Sequence, residues 1–189
     1  MKLWFRLATA ILILMLVQHA ALWAQEQQRF DLEGPFDHPV PLSDSAREAL
    51  LSYVGQNSNS PKSEHGFLEH CAQEEGTPTK NIPASWFVAS SVTLKHGGPP
   101  SLVVLSQFPC LWGAHAGPIW VLHPTDSGYR VIFVGRGDGL DVDNTRSNDY
   151  RDLELVYFFA LGEERRYSKF CYREDEYQPC GQRTVYQSH

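Results

Sequence analysis

The sequence has 189 residues, with 16 Lys and Arg against 22 Asp and Glu and a formal net charge of −6. This length is typical of one domain with a substantial core. An acidic chain without a basic patch has no general affinity for nucleic acid or for an anionic membrane, so neither is an expected partner.

The first residues have the order of parts of a secretory signal peptide. Lys2 and Arg6 precede an apolar run at 7–17, and a small-residue stretch ends at Ala24. The run is shorter than the roughly 20 residues that a membrane-spanning helix needs, so cleavage after Ala24 is predicted, with an uncleaved anchor as the alternative. Cleavage takes the basic residues from 16 to 14, against 22 acidic ones, for a net charge of −8. We expect a secreted or periplasmic protein that keeps no stable membrane anchor.

The chain after the leader begins with a polar, proline-rich segment at 25–42, which we expect to be extended. Residues 43–189 are predicted to form a single domain. Ser43 or Asp44 can cap an amphipathic helix whose apolar residues recur at helical spacing, and Gly55 stands where a helix would end. It is the only clear helix of the mature chain, and the segments on both sides of FLEHC (67–71) are predicted to be loops.

Short runs rich in β-formers follow from residue 85, separated by clusters of Gly, Pro, Asp, Asn and Ser. This spacing is typical of an antiparallel meander, because no helical pattern intervenes. The predicted fold is α+β, with one N-terminal amphipathic helix packed on a single twisted antiparallel sheet. A β-sandwich or half-barrel is the alternative. The predicted strands cover residues 86–94, 101–107, 118–122, 129–134, 153–161 and 165–172.

The four cysteines are Cys71, Cys110, Cys171 and Cys180. An even number in an exported chain predicts two disulfides, for which there are three pairings. A symmetric hairpin turn around 174–177 would place Cys171 opposite Cys180, within disulfide distance. That pairing leaves Cys71 to bond with Cys110.

The stretch FPCLWGAHAGPIW (108–120) places Cys110 five residues before His115. This pair could be a nucleophile with its base, two metal ligands, or a disulfide-tied turn before a buried strand. Export makes a free thiol the less common state, which disfavours the nucleophile. A third metal ligand is missing nearby. We therefore expect the disulfide, with His115 facing solvent at the turn.

The order of five segments resembles a group of uncharacterised secreted bacterial proteins. These segments are VTLKHGGPPSLVVLSQ, CLWGAHAGPIWVL, GYRVIFV, SNDYRDLELVY and YSKFCYREDEYQ. Members of that group are similar to one another in a D-x-N-G-D-x-x-x-E-L hairpin, a C-G…W strand, an N-G-Y-x-D-L segment and a Y-x-F-D-G-x-x-Y hairpin. The resemblance covers about residues 85–178 by pattern and order, and it implies an exported sheet domain without a known activity. Where the group has an Asp-rich turn, this chain has KHGGPP (95–100), so the resemblance supplies no calcium site.

Two segments invite a metal-site interpretation. The histidines of HGFLEHC (65–71) are five apart, about 140° round a helix, so they cannot share a zinc ion from one face. The acidic segment after Arg136 fails the EF-hand template, although hard cations accept irregular oxygen cages. The simpler interpretation is a polar turn in which Gly137 and Gly139 adopt positive φ. No metal or cofactor is predicted; the looser calcium alternative would use Asp138, Asp141, Asp143 and Asp149.

Aromatic residues make up 12% of the chain and cluster in the predicted strands. Most should be core, but the tyrosines of the C-terminal hairpin are expected to be half-exposed. The leading hypothesis is a non-catalytic binding domain for an unknown protein or carbohydrate. One alternative is an extracytoplasmic hydrolase using His96, His115, His123 and Asp138, and another is a structural envelope component. The predicted ligand surface is Trp112, His115, Tyr167, Tyr172 and Tyr177.

Overall fold

The computed structural model describes residues 27–34, 36, 38–56, 64–112, 116–159 and 163–186; the predicted leader and its cleavage site lie outside this part of the chain. The described part contains two helices, α1 (Asp44–Gln56) and α2 (Glu64–Glu74), and three short 3₁₀ turns. Its strands are β1 (Gln28–Asp31), β2 (Pro39–Val40), β3 (Phe87–Val92), β4 (Ser101–Ser106), β5 (Gly117–Thr125), β6 (Gly128–Gly137), β7 (Gly139–Ser147), β8 (Tyr150–Phe159), β9 (Glu164–Arg173) and β10 (Glu176–Tyr186).

The strands form two antiparallel sheets of five strands each. The inner sheet has the order β2-β3-β4-β5-β6, and the outer sheet has the order β1-β7-β8-β9-β10. A cluster of buried side chains from both sheets, among them Leu105 of β4 and Leu155 of β8, lies between them. The antiparallel, strand-rich architecture agrees with the sequence, but there are two sheets where one was expected. The β-sandwich alternative fits better.

The centre of the inner sheet is buried on both faces. Along β4, Val103 and Leu105 belong to the core shared with the outer sheet, whereas Leu102 and Val104 belong to a second core beneath the helices. Every residue of β4 is buried. A strand covered on both sides favours apolar residues at every position, which is why SLVVLS does not alternate.

Helix α1 lies where the sequence predicted a helix, and α2 is an addition to the prediction. The Ser43 hydroxyl caps α1 by accepting a hydrogen bond from the Ala46 amide at 3.2 Å. Helix α2 buries Leu68 and Cys71 against the inner sheet. Its 11-residue sequence contains Gly66 and only a few apolar residues, so its stability comes from packing rather than from propensity. Among the described residues, no helix is long and apolar enough to cross a membrane.

The segment GRGDG (135–139) joins the two sheets, and its interpretation as a polar turn was wrong. Strand β6 continues into β7 through Asp138 alone. Gly137 and Gly139 do not adopt positive φ. A Cβ on Gly137 would lie 2.8 Å from the Val156 carbonyl oxygen, and one on Gly139 would lie 2.9 Å from Asp31 Oδ1. These glycines therefore allow a close approach of the backbones where the sheets fold over one another.

Both predicted disulfides are confirmed. Cys71 of α2 bonds to Cys110 in the connection between β4 and β5, and Cys171 of β9 bonds to Cys180 of β10. The hairpin turn differs from the symmetric one expected. It consists of Glu174 and Asp175, both with positive φ, as a tight two-residue turn requires. Cys171 is therefore paired in register with Gln178, and an irregularity at 179–181 accommodates Cys180.

Candidate ligand-binding surface

The three tyrosines predicted to be half-exposed are instead buried. Tyr167, Tyr172 and Tyr177 expose only 6%, 6% and 7% of their surface. Tyr172 stacks on Tyr150 with ring centroids 3.8 Å apart, and the Tyr177 hydroxyl donates to the Arg151 carbonyl oxygen at 2.7 Å. Burial raises the pKa of Tyr172 to about 12 and holds the pKa of Tyr177 further above its ordinary value. Tyr172 and Tyr177 are buried because the inner sheet covers the face of the outer sheet that carries them.

The other two residues of the predicted ligand surface are Trp112 and His115. Trp112 is half-buried, packs against both cores, and donates through Nε1 to the Ser106 carbonyl oxygen at 2.9 Å. This bond gives Trp112 a structural role. His115 lies outside the described residues. With Cys110 in a disulfide, the interpretation of Cys110 as a free nucleophile or thiolate ligand no longer applies.

The carboxylates of the calcium alternative are distributed among separate partners. Asp138 Oδ2 accepts from the Phe158 amide at 2.7 Å, and Asp143 accepts from Thr145 at 3.0 Å. Asp149 is exposed in the β7–β8 turn. Within the described part of the chain, no three His, Cys, Asp or Glu side chains form a group that could hold a metal ion.

Ion pairs cross the solvent-facing side of the outer sheet. One of them includes Asp141, the remaining carboxylate of the calcium alternative. Arg29 of β1 donates to both oxygens of the fully buried Asp141, each at 2.7 Å. Arg183 of β10 donates to both oxygens of Glu154, at 3.0 and 2.6 Å. The hydrogen bonds to Asp141 hold the pKa of Arg29 above its ordinary value, and those to Glu154 do the same for Arg183. This face is therefore held by paired charges.

The hydrolase candidates include one polar cluster, formed around His123. Its Nδ1 lies 2.8 Å from the Ser101 hydroxyl, and its Nε2 lies 3.3 Å from the Tyr150 hydroxyl. A catalytic triad would require a carboxylate in the position of Tyr150, and Ser101 is fully buried and cannot reach a substrate. His96 is exposed in the turn after β3, and Asp138 lies at the corner between the sheets.

A groove lies at the end of the outer sheet where β8 ends, β9 begins and β10 ends. Exposure rises along β8 from 2% at Leu155 to 40% at Phe159. Strand register places Phe159, Glu164 and Tyr186 in one row across the three strands. We call this surface the distal groove; its volume is about 610 Å³, and it is lined by Tyr157, Phe159, Glu164, Arg166, Tyr167, Ser168, Gln182, Arg183, Thr184 and Tyr186.

The distal groove combines aromatic rings with polar side chains. Tyr186 is 74% exposed and Phe159 is 40% exposed, values uncommon for large aromatic residues. The Arg166 guanidinium lies over the Phe159 ring at 4.4 Å and also pairs with Glu164. Ring stacking and ion pairing together hold the Arg166 side chain in place.

No family model, curated protein or solved structure matches this chain. The resemblance in segment order to exported bacterial proteins therefore remains an expectation.

The sequence interpretation missed most of the distal groove, although it named Tyr167. It predicted a strand over residues 153–161 and did not identify an exposed end. No local signal marks the groove, because the apolar run continues without a break from the buried Leu155 to the exposed Phe159.

Proposed function

We propose that this protein is an extracytoplasmic binding domain that acts without catalysis, and that the distal groove is its ligand surface. The observation that carries the proposal is the exposure of Phe159 and Tyr186 in one row on a concave face. Large exposed aromatic rings beside fixed polar groups are typical of recognition surfaces.

Extracytoplasmic location is supported by the covalent framework. All four cysteines are paired in two disulfides, and such bonds persist mainly in oxidising compartments. The leader features at residues 1–24 point in the same direction. The Cys171–Cys180 bond also ties together β9 and β10, which form most of the groove floor, so it would limit movement of the binding surface.

The test compares two variants of the disulfide-bonded chain in binding to envelope extract. Tyr186→Ser combined with Phe159→Ser removes the rings from the groove. Val185→Ser is the matched control, because Val185 is also exposed, at 39%, and its side chain projects from the opposite face of β10. We expect the double variant to lose retained material and the control to keep it. Equal retention by both variants would show that the groove is not the ligand surface.

A further inference from the structure

The charges of the distal groove indicate which ligands it can accept. Two ionised side chains on the groove face line it, Glu164 and Arg166, and they pair with each other. Arg183 pairs with Glu154 on the opposite face of the sheet. Each pair is neutral, and each cation already has its anion. An ionic ligand would have to compete with these pairs and lose its own hydration, whereas a neutral ligand would not.

The rings of the groove are arranged as a platform. Tyr157 and Phe159 lie side by side on β8, with ring centroids 6.4 Å apart and planes tilted by 32°. Tyr186 stands two strands away in the row of Phe159, at about 10 Å, or two strand spacings. A ligand that contacts both edges of the groove must therefore be extended and must offer flat apolar faces at more than one point along its length.

The polar side chains lie between and beside these rings. Strand register aligns Tyr157 with Arg166 and Thr184, and aligns Leu155 with Ser168 and Gln182 in the next row. Guanidinium, amide and hydroxyl groups thus supply donors and acceptors along the floor. A matching ligand is apolar on its faces and rich in hydroxyl groups at its edges.

We infer that the distal groove binds a neutral carbohydrate chain, with sugar rings stacked on Tyr157, Phe159 and Tyr186 and hydroxyl groups bonded to Arg166, Gln182 and Thr184. The axial C–H groups of a sugar ring form an apolar face, and its hydroxyls lie around the edge, as the groove requires. This inference rests on the proposed function and specifies its ligand class. A protein ligand would present backbone amides and charged side chains instead.

The first experiment separates carbohydrate from protein by treating envelope extract before it is offered to the immobilised chain. Mild periodate cleaves the vicinal diols of sugars, and protease removes polypeptides. We expect retention to be abolished by periodate and to survive protease. Loss after protease with survival after periodate would overturn the carbohydrate inference and leave the binding function standing. Retention that does not depend on Tyr186 and Phe159 would overturn both.

The second experiment uses defined probes: soluble α-glucan, β-glucan and mannan as neutral chains, with alginate as an acidic chain. We expect at least one neutral chain to bind with an affinity that changes less than twofold between 50 and 500 mM salt, because no net charge is neutralised. Tyr186→Ala should weaken binding about tenfold, Tyr186→Trp should preserve it, and Val185→Ala should have no effect. Binding of alginate alone, weakened by salt, or of none of the four probes, would overturn the inference.

Discussion

The inner and outer sheets contain the same number of strands but differ in how they are covered. All six residues of β4 in the inner sheet are buried, between the helices on one side and the outer sheet on the other. The outer sheet contributes one face to the shared core, and its other face carries ion pairs such as Arg29–Asp141. The exposed part of the inner sheet lies mainly at its edge on β6, where Tyr129 and Arg130 line a groove beside α1.

The same difference explains where the distal groove lies. The corner between the sheets, at Asp138, bonds to β8 at Val156 and Phe158, and the exposed Phe159 lies at the end of β8 past these contacts. The face that is core at Leu155 becomes solvent-accessible at Phe159, without any change in the alternation of the strand.

One disulfide ties the helix layer to the inner sheet, and the other lies within the outer sheet. Removing them one at a time is the strongest test of how the two sheets differ. The Cys71–Cys110 bond spans 39 residues and ties the helix layer to the inner sheet, whereas Cys171–Cys180 spans nine within the outer sheet. From chain entropy in the unfolded state, Cys71→Ala with Cys110→Ala should lower the free energy of unfolding by about 4 kcal/mol. Cys171→Ala with Cys180→Ala should lower it by about 2.5 kcal/mol.

Urea unfolding of the two double variants and the parent chain measures both values. Comparing each variant with the parent under reducing conditions is the control, because all four cysteines are then free and the differences should largely disappear. A larger loss from the Cys171–Cys180 pair than from the Cys71–Cys110 pair would contradict the assignment of covalent stabilisation mainly to the helix layer and inner sheet.

The second prediction compares one apolar side chain from each region. Leu105 is 1% exposed between the sheets, and Val185 is 39% exposed near the end of β10. Leu105→Ala should destabilise the fold by about 3 kcal/mol, because a cavity remains in a packed core. Val185→Ala should cost less than about 0.5 kcal/mol. Thermal unfolding of both variants tests this difference, and similar costs would show that the distal end is packed as tightly as the centre.

Much of this organisation could be predicted from the sequence, because its causes are local. Alternation and turn residues located most strands, and the spacing of Cys71, Cys110, Cys171 and Cys180 led to the correct disulfide pairing. Helix α2 was missed because its stability comes from burial of Leu68 and from the bond at Cys71, neither of which is visible in a short polar window.

The exposure of individual side chains could not be predicted, because it depends on which sheet lies opposite. Tyr172 and Phe159 have similar aromatic character, and both lie in β-rich runs. Tyr172 faces the inner sheet, whereas Phe159 lies at the exposed end of β8, so one is core and the other lines the groove. The glycines at 137 and 139 present the same problem. Their role is set by the distance to Val156 and Asp31, which are distant in sequence.

The smallest expected effect is the pH dependence that His123 contributes at a polar contact between the two sheets. His123 of β5 in the inner sheet bonds with Ser101 and with Tyr150 of β8 in the outer sheet. Burial lowers the pKa of His123 below its ordinary value of 6.5, and the positive charges of Arg130 and Lys95 lower it further. The unfolded chain therefore binds a proton at a higher pH than the folded chain does. The stability contributed by neutral His123 is fully present above pH 6.5 and is lost as pH falls through the folded-state pKa.

Comparison with His123→Asn isolates this contribution, because asparagine can still form a hydrogen bond in place of Nδ1 but does not titrate. Between pH 7.5 and 4.5, the parent should lose stability relative to the variant, by at most about 1.4 kcal/mol per pH unit, the limit for one proton. Urea unfolding across this range measures the difference. If the parent and the variant lost stability in parallel, the contact between the sheets at Tyr150 would not depend on a neutral histidine.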